Sequence, residues 1–136
     1  MKILILMLSV LFGANAFADV VVIVHPSNNN TITQADLEPL FMVKKSTFAD
    51  GSKATPYYLV ADDAARNLFD DKVLGKSSGQ LKAYWSKLVF TGKGTPPAEL
   101  ANSAEAVAKV ATDPTAIAYV SKGAVSSAVK VVLSLQ

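Results

Sequence analysis

Arg66 is the only arginine in the chain, and it sits one helical turn from three carboxylates. A guanidinium fork matches a bidentate oxyanion, so Arg66 is a candidate ligand for a small anion. The same residue has a plainer reading: Asp62, Asp63 and Asp70 all lie at helical spacing from it, which suits an intrahelical ion pair. Thr91-Gly92-Lys93-Gly94-Thr95 places a hydroxyl, a flexible backbone and a cation within five residues. Such a loop can form an oxyanion nest, or simply connect two elements. It is not a nucleotide-binding P-loop, because it lacks the Gly-Lys-Ser/Thr ending and a strand before it. Ser27 and Asn28 open a polar loop, Ser27-Asn28-Asn29-Asn30, directly after an apolar run. Ligands in open α/β sheets gather beyond strand ends, although Asn-rich stretches are also ordinary turns. His25 is the sole histidine and there is no cysteine. A transition-metal site would therefore need carboxylates to complete it, and no nucleophile elbow supports a serine triad. His25 before Pro26 reads as structural, and the chain as non-enzymatic with no cofactor.

These candidates need elements to hold them. Val20-Val21-Val22-Ile23-Val24 is a β-branched run, expected as a strand buried on both faces. Thr33 with Asp36 forms a capping box, and Ile32 can staple onto Leu37, so a helix starts here. Pro39 should leave it short or kinked near Leu40-Phe41. Asp50-Gly51 is a turn, and Pro56 to Val60 a second strand. Asp62 is expected to cap the next helix, with an apolar stripe of Ala65, Leu68, Phe69 and Val73 and an end at Gly75. Ser77 with Gln80 forms another capping box. Leu81, Tyr84, Trp85, Leu88 and Val89 then fall on one helix face, with Phe90 just beyond, and core packing is their default. A Gly/Pro loop covers 91–97, and Asn102 with Glu105 caps a fourth helix through Val107, Val110 and Ala111. Ala116 to Val120 is a third strand. Val129, Val131, Leu133 and Leu135 alternate with Lys130, Val132 and Ser134 as a last strand with one packed face. The pattern describes an α/β fold, a mixed β-sheet flanked by helices, in one domain.

The first 18 residues read differently. Lys2, the apolar run from Ile3 to Phe12, and Ala16-Phe17-Ala18 have the layout of a secretory signal peptide. The run is too short to span a bilayer. Cleavage after Ala18 would leave 118 of the 136 residues, 19–136, as a single periplasmic domain. Loss of Lys2 takes the net charge from +2 to +1. A balance that even argues against a nucleic acid or an anionic membrane surface as partner. Without cysteine, neither disulfides nor a cysteine-linked lipid anchor can form.

The order of several motifs is more specific. Val73-Leu74-Gly75-Lys76-Ser77, Tyr84-Trp85-Ser86, Phe90-Thr91-Gly92-Lys93-Gly94, Pro96-Pro97 and Ala116-Ile117-Ala118-Tyr119-Val120 follow one another in the chain. With the opening strand, Asn-rich loop and Phe41, this resembles the small phosphate ABC transporter substrate-binding proteins, of periplasmic binding protein-like II fold. The resemblance implies one lobe of a type II binding protein, and it places an arginine where Arg66 stands. It also implies a small oxyanion ligand, phosphate first, and the residues above that could hold it are Arg66, Thr91, Gly92, Lys93, Ser27 and Asn28. A membrane transporter or another periplasmic protein is the implied partner. Larger relatives are two-lobed and begin the helix after the matching strand with Ser-Gly-Thr. Here that stretch is Asp62-Asp63-Ala64-Ala65-Arg66, whose carboxylates either cap the helix or meet a ligand. A single lobe would hold an anion on an open face or between the halves of a homodimer. The alternative function is an accessory or protein-interaction module that keeps the lobe without binding phosphate.

Overall fold

The computed structural model describes residues 19–135, so the signal peptide expected over residues 1–18 lies outside the described residues. Five strands form one sheet: β1 (Val20–Val24), β2 (Thr55–Leu59), β3 (Ala98–Leu100), β4 (Ala116–Ser121) and β5 (Lys130–Leu135). Their order across the sheet is β3-β2-β4-β1-β5. β2 runs parallel to β3 and to β4, whereas β1 runs antiparallel to both its neighbours, β4 and β5. Every residue of β1 is buried, as are Ala116 to Val120 of β4. Successive strand side chains point to opposite faces, so helices must cover both faces of the sheet centre.

The helices are α1 (Gln34–Phe41), α2 (Ala64–Phe69), α3 (Ser78–Phe90) and α4 (Ser103–Thr112). Capping boxes at Thr33/Asp36 and Ser77/Gln80 set the starts of α1 and α3. Asn102 Oδ1 accepts the Glu105 N–H at the start of α4, at 2.9 Å. α1 carries Pro39 inside it and ends at Phe41, and the chain turns away at Val43, whose φ is +57°. α2 is capped by Asp63, one residue later than expected, because the Asp63 carboxylate reaches the Ala65 N–H at 2.8 Å. A π-helical turn over Asp70–Leu74 follows α2 and buries both of its end residues, and Gly75 closes it with φ at +61°.

An aromatic cluster ties the helices to the sheet. Phe69 of α2 stacks on Tyr119 of β4 with ring centres 4.0 Å apart, and Phe41 of α1 meets Phe69 edge-on at 4.7 Å. The tyrosine hydroxyls are used inside: Tyr58 donates to the Phe41 carbonyl at 2.7 Å, and Tyr119 accepts the Leu59 N–H at 3.0 Å. Burial pushes both phenols above their usual range.

The sheet also departs from the sequence pattern at β3 and β5. β3 was not legible as a strand, since only Leu100 of its three residues is buried, and it exists through pairing with β2. The alternation of β5 breaks at an irregularity that shifts its register against β1 between Val22 and Ile23. Val131 is therefore 43% exposed while Leu135 is buried.

Candidate functional site

Arg66 lies in the first turn of α2, just past the carboxyl end of β2, and is 7% exposed. Its Nε donates to Asp70 Oδ2 at 2.8 Å, one turn on. One terminal nitrogen donates to the Leu59 carbonyl at 2.8 Å and to Glu99 Oε1 at 3.2 Å. The guanidinium carbon stands 4.7 Å from the centre of the Tyr58 ring. Both halves of the Arg66–Asp70 pair are inside, with side chains 8% and 10% exposed. Burial holds the Asp70 carboxyl above its ordinary value, against the pull of the Arg66 charge. Asp70 Oδ1 is buried and has no hydrogen-bond partner. The intrahelical ion pair is present, with Asp70 as the partner.

Outside this pair lies a groove of about 480 Å³, floored by Leu81, Trp85 and Pro96, with Arg66, Lys82 and Glu99 at its polar edge. Two cations and a carboxylate line that edge. Counting Asp70, which pairs with Arg66 behind that edge, two cations meet two carboxylates, so the groove carries no surplus of positive charge aimed at a small anion.

The six expected ligand residues do not converge. Ser27 and Asn28 follow β1, whose last residue, Val24, pairs with Ile117 near the start of β4. Because β4 is parallel to β2, that end of the sheet holds the beginning of β2, and Arg66 follows the other end. The strand-end rule assumes parallel strands, and β1 is antiparallel. The loop's polar groups serve its own fold. Asn28 Oδ1 accepts the Asn30 N–H at 2.9 Å, Ser27 Oγ and His25 Nδ1 are 2.7 Å apart, and the Asn28 carbonyl takes the Lys130 ammonium at 3.1 Å.

Thr91, Gly92 and Lys93 form the carboxyl-terminal cap of α3. Their N–H groups donate to the carbonyls of Lys87, Val89 and Leu88, and the Thr91 hydroxyl donates to the Lys87 carbonyl at 2.8 Å. Gly92, with φ at +67°, makes this turn possible. A helix C-terminus exposes carbonyl oxygens and the negative end of its dipole, so the loop is a poor anion nest. At the start of α2 the carboxylate of Asp63 occupies the end where an anion would bind. Among the described residues, no three His, Asp or Glu gather as metal ligands. What the sequence missed is Glu99, which reaches Arg66 from β3 across 33 residues of chain.

Three of the solved structures that match illustrate the shared fold. One is an ABC-type phosphate transport receptor from Vibrio cholerae, at 16% identity and TM-score 0.66, with 85% of this chain matching 46% of the receptor. A second is a putative phosphate ABC transporter substrate-binding protein with bound phosphate from Clostridium perfringens, at 17% identity and TM-score 0.67, covering 85% and 45%. The third is PstS from Borrelia burgdorferi, at 12% identity and TM-score 0.61, covering 83% and 46%. The fold is that of one lobe of these receptors. The chain spans about half the length of the proteins it matches. No protein-family model and no curated protein matches the sequence.

Proposed function

We propose that the protein is a non-enzymatic periplasmic accessory module of a phosphate-type ABC transport system, which has kept a receptor lobe as a surface for partners instead of a phosphate cleft. The observation that carries this reading is the commitment of Arg66 to the fold: its Nε and one terminal nitrogen are bound to Asp70, Leu59 and Glu99, and the helix end beside it is capped by Asp63. Removal of residues 1–18 delivers the lobe to the periplasm. A second reading, a phosphate receptor completed by a second lobe in trans, draws support from the likeness to a receptor with bound phosphate. Titration of phosphate into the mature protein, refolded to strip endogenous ligand and with sulfate as control, separates the two. The accessory reading expects no binding heat at millimolar phosphate from folded protein. Phosphate-selective binding at micromolar concentration overturns it, and a dimer in that state establishes the second reading.

A further inference from the structure

The near-even net charge conceals a segregation. Between Lys72 and Ala98 the chain carries five lysines and no acidic residue, so all 11 acidic residues lie elsewhere. The centre of this basic segment is α3, about 20 Å long at 1.5 Å per residue. Its sequence-expected apolar face is only partly interior. Leu81 and Trp85 are buried, but Val89 is 52% and Phe90 92% exposed. Val89 and Phe90 are not isolated, for they share a shallow apolar depression with Trp85 and Pro96. Lys82 and Lys87 on α3 and Lys93 just past its end are all exposed. Lys82 lies one and two turns before Ser86 and Phe90 on the same face, Lys87 is three residues before Phe90, and Lys93 is held at the helix end by its bond to Leu88.

We infer that this end of α3 is a peripheral docking surface for an anionic phospholipid membrane, with Phe90 and Val89 entering the interface and Lys82, Lys87 and Lys93 facing the headgroups. Charge complementarity names the occupant. A second copy would bring lysines against lysines, whereas an anionic lipid surface offers negative charge on every side of a protruding ring. A ring projecting from a shallow patch suits a deformable surface. No helix among the described residues is long and apolar enough to cross a membrane.

The test is sedimentation of the purified mature protein with vesicles of phosphatidylglycerol and phosphatidylcholine, and with phosphatidylcholine alone, at low and physiological salt. Binding should require phosphatidylglycerol and weaken with salt. Phe90→Ser should weaken it about tenfold, the loss expected for one aromatic side chain leaving an apolar environment. Because Phe90 is 92% exposed, its thermal midpoint should not fall. Lys87→Gln with Lys93→Gln should cost about fivefold per lysine and flatten the salt dependence. Failure of the folded protein to sediment with phosphatidylglycerol vesicles at low salt overturns the inference, and hands the face to an acidic protein partner. Sedimentation unchanged by Phe90→Ser also overturns it, as plain polyanion attraction. The phosphate titration reads a different property, so either result can fail without the other.

Discussion

Replacing Arg66 with Ala tests whether this arginine is a structural ion or a ligand group. The substitution leaves Asp70, 7% exposed, as a buried carboxylate whose Oδ1 already has no partner. Removing one member of a buried pair costs about 3–5 kcal/mol. The lower end applies, because Glu99, the other carboxylate on Arg66, is half-exposed and can turn to water. A loss of about 3 kcal/mol corresponds to a fall of roughly 12 °C in the thermal midpoint of a domain of this size. Arg66→Met with Asp70→Leu removes both charges at similar volume, and should recover most of that loss. The deficit should also depend on pH. The Asp70 carboxyl is already raised by burial, and without Arg66 nothing pulls it down. A carboxyl whose pKa is higher folded than unfolded binds protons first in the native state, so stability falls as pH rises above the unfolded value of about 3.9. The Arg66→Ala deficit should therefore be smallest near pH 4 and grow toward neutrality. Thermal melts followed by circular dichroism between pH 4 and 7 measure it. A variant within about 1 kcal/mol of the native protein at pH 7, or a deficit that shrinks as pH rises, refutes the reasoning.

Two further substitutions probe the neighbourhood of the same site. Asp63→Ala removes the carboxylate that caps α2 and should cost about 1 kcal/mol, roughly 4 °C in a thermal melt. Asp62→Ala beside it should stay within about 0.5 kcal/mol, which separates capping from general acidity. Tyr119→Phe keeps the ring on Phe69 but deprives the buried Leu59 N–H of its acceptor. It should cost about 1–3 kcal/mol in denaturant unfolding with an unchanged m-value.

Much of the fold can be read locally. The capping boxes at Thr33 and Ser77, the β-branched run of β1, and Gly75 as a helix stop act over three or four residues, so the sequence alone places them. The same holds for Asp70 as a partner one turn from Arg66. Pairing decides the rest. β3 has too little apolar character to announce itself and forms because β2 offers it an edge. The direction of β1 is set by its neighbours, and that direction sends Ser27 and Asn28 to the opposite end of the sheet from Arg66. Glu99 meets Arg66 only because β3 lies beside β2. Thr91 to Lys93 have the composition of an anion nest, but their donors close the end of α3. The types of groups available to the chain, and the absence of others such as cysteine, are thus sequence properties. Which groups stand together and which spend their hydrogen bonds on the fold are decided by long-range strand pairing and by burial, since both depend on residues distant in the chain.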